Sequence, residues 1–226
     1  MKLVNPLLLT LLLLVPCLAG DMASKQKDIP PKKGDISKNI HVIFDKSGSM
    51  SMDKLAKAYK EIEMITMQNT DEFNLAVTAF GGNHCRLKFK DKECSVGDNW
   101  LAMPSADHYK RIMGWLTFVP IDTGGSQIVT ALKEILKENK KNVTIIVITD
   151  CDITSVAETF KLITDARKDK KHHEFKLGFV NVDSRTTEGF YKEVKKNKCW
   201  YVSTPPPAPL LKEEIPLDLD DDDFWK

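Results

Sequence analysis

The chain has no long apolar run. The longest, Leu7 to Val15, is too short to cross a bilayer, and nothing after it is longer or more apolar. No transmembrane segment is therefore expected. The chain also lacks an excess of either charge: 33 Lys and Arg stand against 32 Asp and Glu. With no basic stretch interleaved with aromatics, nothing argues for a nucleic-acid partner, and none is expected. No CxxC pair and no phosphate-binding glycine loop occurs, and no Ser, His and Asp stand at a recognisable catalytic spacing. His41 sits inside an apolar run and reads as a core residue. His172 and His173 follow a lysine cluster in a charged turn, and His84 and His108 have no partner at a telling distance. The expectation is a protein that is not an enzyme.

What is present divides the chain into four parts. Lys2, the apolar run and the small residues up to Ala19 and Gly20 have the layout of a secretory signal peptide over 1–20. Cleavage after Ala19 is preferred, and after Gly20 is nearly as good. Export would leave the protein secreted, periplasmic or at the cell surface. Anchoring as a lipoprotein through Cys17 is the weaker alternative, because Pro16 stands where a small residue is usual. Residues 21–38 are rich in Lys, Asp and Pro and read as a flexible linker. Residues 39–203 hold the folded domain. Residues 204–226, Pro-rich and then acidic, read as a disordered tail with a net charge of −5, which leaves the body 21–203 at +5.

Four cysteines remain after the leader. In an oxidising compartment Cys85 and Cys94 are a possible disulfide, closing a short excursion. Cys151 and Cys199 read as buried thiols.

Within the domain, apolar strands at 39–45, 73–80, 143–149, 175–182 and 199–203 alternate with helical patterns at 52–68, 106–115, 126–139, 154–168 and 185–196. The run Val143 to Ile148 is almost continuously β-branched, as a strand covered on both faces requires. Leu55, Tyr59, Ile62 and Ile65 recur at helical spacing and mark one sheet-facing stripe. A short strand at 87–89, after the Gly81-Gly82-Asn83 turn, is expected antiparallel to 73–80. The predicted fold is α/β: a doubly wound, mostly parallel sheet with one short antiparallel edge strand and helices on both faces.

Asp45-Lys46-Ser47-Gly48-Ser49 lies between the first strand and the first helix. One carboxylate and two alternate hydroxyls there gather oxygen ligands around a point. Such a set suits a hard cation like Mg²⁺, which takes octahedral oxygen ligands at roughly 2.1 Å and keeps some of its waters. Ser126 follows Gly124-Gly125 at a helix start and, taken alone, is an N-cap. Asp150 ends the most apolar strand, and open α/β sheets bind ligands at the carboxyl ends of their strands. If the strands at 39–45 and 143–149 are neighbours, Asp45 and Asp150 converge.

With those residues in order, the domain resembles a von Willebrand factor A (vWA) domain with a metal-ion-dependent adhesion site. The pattern Asp-x-Ser-x-Ser matches Asp45, Ser47 and Ser49. The hydroxyl of the glycine loop matches Ser126, where the family usually has Thr, and the later Asp matches Asp150. The resemblance implies a Rossmann-like vWA fold and a site for Mg²⁺, with Mn²⁺ compatible. Ser47, Ser49 and Ser126 would bind directly, Asp45 and Asp150 mainly through water. A protein partner would supply a Glu or Asp carboxylate to the metal. Specificity is expected from the loop 81–104 with Trp100, the segment 118–125 and the turn after Asp150. Asp122 and Asp152 have no place in the pattern, and Asp152 is expected to cap the helix starting near 154. Two other classes stay open: an assembly component that packs without metal, and a Mg²⁺-dependent phosphatase, which phosphate-ester turnover would reveal.

Overall fold

Continuous β-branched sequence ends up in the middle of the sheet. The structure, a computed structural model, describes residues 28–32, 35–67, 71–82, 84–86, 100–122, 127–138, 141–169, 175–183 and 186–204, with the side chains of 84–86 left out. The leader, Cys94, Ser126 and the acidic tail from 205 onward lie outside the described residues, as does the side chain of Cys85.

Strand β1 (Asn39–Asp45) and helix α1 (Met52–Met67) open the domain. Then come β2 (Phe73–Phe80), β3 (His84–Arg86), β4 (Leu101–Met103) and α2 (Ala106–Phe118). Helix α3 (Ile128–Lys137), β5 (Val143–Thr149) and α4 (Val156–Lys168) follow, and β6 (Lys176–Asn181), α5 (Glu188–Lys196) and β7 (Trp200–Ser203) complete it.

The sheet runs β3-β2-β1-β5-β6-β7, with β4 also paired to β2. β1 is parallel to both β2 and β5. β5 is buried along its whole length, which is why nearly every position in it is apolar and branched. The antiparallel edge expected beside 73–80 is present but made of two pieces. His84–Arg86 pairs with the end of β2 and Leu101–Met103 with its start. The first piece lies a few residues before the expected 87–89, which fall outside the described residues. The second was not foreseen at all.

The two faces carry separate cores. Leu55, Ala58 and Ile62 of α1 pack with Ile112 and Leu116 of α2 on one face. Leu132 of α3, Phe160 and Ile163 of α4 and Phe190 of α5 fill the other. There Phe160, Phe179 and Phe190 meet largely edge to face, with ring centroids 5.0–5.9 Å apart. Gly178 in β6 is forced by Trp200 of β7, since a Cβ would stand 1.7 Å from the indole.

α1 leaves β1 toward one face and α4 leaves β5 toward the other. The carboxyl ends of these neighbouring strands therefore flank the crevice where the winding reverses.

Three expectations need correction. Trp100 is 4% exposed, not a surface contact. Pairing of 101–103 with β2 draws it into the core, where it meets the His41 ring edge-on at 5.6 Å. Asp152 does not cap α4: the helix begins later, and Ser155 holds the cap position. Residues 28–32, inside the stretch read as linker, are tied down. Ile29 exchanges backbone hydrogen bonds with Tyr201 at 2.7 and 2.8 Å, covering the otherwise open edge of β7.

Candidate metal centre

Asp45 is the last residue of β1 and is fully buried. Its Oδ1 accepts from the Ser47 backbone N–H at 2.8 Å, which bends the chain out of the strand. Its Oδ2 accepts from the Thr149 hydroxyl at 2.6 Å across the β1–β5 seam. Both partners are neutral. Burial pushes the Asp45 carboxyl up to about 6, against the lowering effect of its bonds to Ser47 and Thr149. The turn that follows brings the Ser47 and Ser49 hydroxyls to 3.0 Å from one another. It is closed by Met50 N–H donating to the Ser47 carbonyl at 3.1 Å.

Asp150 follows β5 and is also buried. Its Oδ1 accepts from the Asp152 backbone N–H at 3.1 Å. Cys151, between them, has φ 61°, the left-handed region that a non-glycine residue rarely takes. The Cys151 N–H donates to the Thr149 hydroxyl at 3.0 Å, so one threonine serves both strand ends. Burial raises the Cys151 thiol well above its ordinary value, with Asp150 adding to the effect, so it stays protonated and unreactive.

Asp45 and Asp150 stand at the carboxyl ends of neighbouring strands, and Ser47 and Ser49 lie with Asp45. Ser126 lies outside the described residues, but the chain on either side of it is anchored here. Asp122 N–H donates to the Lys46 carbonyl at 2.8 Å, and Gln127 N–H to the Gly81 carbonyl at 3.0 Å. Asp122 forms an isolated parallel bridge with Ser47. It comes so close to Gly81 that a Cβ there would stand 2.5 Å from its own Cβ.

Three residues at the site escape the sequence reading, Thr149, Lys54 and Asp183, and a fourth, Asp122, has no place in the metal pattern. The Lys54 ammonium bridges Asp150 Oδ2 at 2.7 Å and Asp183 Oδ2 at 3.0 Å, and donates to the Ser49 carbonyl at 3.1 Å. Desolvation alone would lower its pKa, but the bonds to the two carboxylates outweigh this and hold it above the ordinary lysine value. Asp183 had a readable signal, since like Asp150 it closely follows an apolar strand. Lys54 had none, because lysines one position off an apolar stripe usually face water.

Among the described residues no three His, Cys, Asp or Glu side chains gather to hold a metal. The donors that do gather are hydroxyl and carboxylate oxygens, which fit a hard divalent cation and not a soft one. Asp45 strengthens that fit, because it is a buried carboxylate whose hydrogen-bond partners carry no positive charge.

No family model and no curated protein matches this chain. Among solved structures, a manganese-loaded TRAP protein of Plasmodium vivax superposes with a TM-score of 0.53, at 12% identity, over 76% of this chain and 69% of that one. It is one of 49 solved chains that match, so the likeness of fold is not isolated. The architecture is a vWA-like Rossmann fold.

Proposed function

We propose that the protein binds a protein ligand through a divalent cation held at the carboxyl ends of β1 and β5. Mg²⁺ is the expected occupant and Mn²⁺ a compatible one; that the TRAP structure is manganese-loaded supports the second. The observation that carries this reading is the Ser47 and Ser49 hydroxyl pair, 3.0 Å apart beside a buried Asp45 whose partners are neutral. In the bound state Ser47 and Ser49, with Ser126 from the glycine loop, are the direct ligands. Asp45 and Asp150 orient the surrounding waters and balance charge. The cation would supply the positive charge at which a Glu or Asp carboxylate of the partner docks. Met52, Phe118 and Ile121 are exposed large apolar side chains.

Binding rather than catalysis is favoured by the chemistry of the donors. The buried carboxyl here is bonded to a backbone N–H and a threonine, and no nucleophile and base stand paired beside it among the described residues. A second reading has one observation in its favour: Lys54 already pairs with Asp150 and Asp183, supplying a positive charge without a metal, as a metal-independent assembly module would need.

Calorimetric titration of the full chain with Mg²⁺ and Mn²⁺ separates the two readings. Saturable binding that is lost in Asp45→Ala, with the far-ultraviolet spectrum unchanged, supports the cation site. Equal affinity in the variant overturns it. The proposed export is checked by N-terminal sequencing of the secreted protein, which should begin at residue 20 or 21. The Cys85–Cys94 disulfide is checked by mass spectrometry before and after reduction.

A further inference from the structure

Lys54 stands in the first turn of α1, and its ammonium reaches three other parts of the fold. It touches the Ser49 carbonyl of the β1–α1 turn, Asp150 after β5 and Asp183 after β6, at 2.7–3.1 Å. The Asp150 side chain is 1% exposed and that of Asp183 13%, so neither is well solvated. A buried carboxylate is tolerated only with a counter-charge or a full set of donors. Asp150 has one backbone donor, the Asp152 N–H, and one cation, Lys54. Asp45, across the seam, has donors alone.

We infer that Lys54 is the site's internal counter-ion, neutralising Asp150 while no divalent cation is bound and opposing its arrival. This rests on the cation reading above and concerns how that site is regulated. Whether a cation meets Asp150 directly or through a water, its two charges fall beside an ammonium that is already bonded to Asp150 Oδ2. The ammonium must then give up Asp150 and settle on Asp183, the outer and better solvated of its two carboxylates. Because Lys54 is part of α1, loading the site changes how the first turn of that helix is tied to β5 and β6. The site thereby carries a built-in resistance to filling, which a partner's carboxylate can offset, since it adds negative charge beside the cation and the displaced ammonium.

The test uses the full-length protein as wild type, Lys54→Met and Lys54→Gln, each titrated with Mn²⁺ by calorimetry and melted in chelator and in excess Mn²⁺. Met removes both the charge and the donor, whereas Gln keeps a donor for Asp150 and guards against loss of folding. Both variants are expected to bind Mn²⁺ about ten-fold tighter, within the usual range for coupled sites. Lys54→Met should also melt roughly 5–10 °C below wild type in chelator, with the gap closing in Mn²⁺. Weaker or equal Mn²⁺ binding in both variants overturns the inference while leaving the cation site standing. Absence of Mn²⁺ binding in all three proteins overturns the cation reading itself, and with it the role given to Lys54.

Discussion

Two carboxylates end neighbouring strands of one sheet, and the fold treats them differently. Asp45 is held by neutral donors, a backbone N–H and the Thr149 hydroxyl, and burial lifts its pKa to about 6. Asp150 is held by an ammonium. Both are buried to within 4% exposure, so depth does not separate them. What separates them is the source of compensation: local geometry on one side, a charge brought in by α1 on the other. On the proposed reading the Asp45 side is the half that a divalent cation would complete, whereas the Asp150 side already holds an ammonium.

The largest test of that contrast is pH. Asp45 binds its proton more tightly folded, at about 6, than unfolded, near 3.8. Its contribution to stability is therefore fully present below pH 3.8 and is lost as pH rises through 6. A shift of that size corresponds to about 3 kcal/mol. Glu61, raised by burial to about 7, acts in the same direction over a window from 4.5 to 7. Denaturant titrations of the cation-free protein should thus show stability falling between pH 4 and 7. Asp45→Asn should remove the Asp45 share and leave that of Glu61. A profile unaffected by the substitution would mean that Asp45 is not held as described.

Thr149→Val comes next. It takes the 2.6 Å donor from Asp45 and the acceptor from Cys151 N–H, at an expected cost of about 2 kcal/mol at pH 7. The cost should shrink in acid, where Asp45 is protonated; a pH-independent loss would point to packing instead.

A smaller effect is expected from Gly81→Ala, which would drive the new methyl against Asp122 and push the 120–122 segment from Ser47. About 1–2 kcal/mol of stability should be lost. Divalent affinity should weaken with it, while the Lys54–Asp150 pair is left in place. The smallest effect belongs to Asp152→Ala. Because Asp152 supplies only a backbone N–H to Asp150, the change should stay within about 0.5 kcal/mol in thermal melts. A loss typical of a helix cap, about 1 kcal/mol, would restore the role the sequence suggested.

The same contrast explains what the sequence disclosed. β1 and β5 were legible because a strand covered on both faces needs a continuous apolar run, and little else in a chain this polar provides one. Asp45, Ser47 and Ser49 were legible because their spacing is local: the turn that places them is contained in five residues. Lys54 was hidden because its partners lie 96 and 129 positions away, and nothing in an amphipathic helix marks one lysine as turned inward. Asp122 was hidden for a similar reason, since its place beside Ser47 depends on how closely its loop approaches Gly81. β4 is three residues long, too short for any period to show. Trp100 was misread with it, because a residue next to an unseen strand looks like a residue in a loop.

The most direct test of the account is the binding of Mn²⁺ by the full chain at pH 7, followed by electron paramagnetic resonance, in wild type and Asp45→Asn. One saturable site is expected in the wild type, displaced by Mg²⁺ and absent from the variant, whose amide keeps the shape of the carboxylate but not its charge. Equal Mn²⁺ uptake by the two proteins would contradict it.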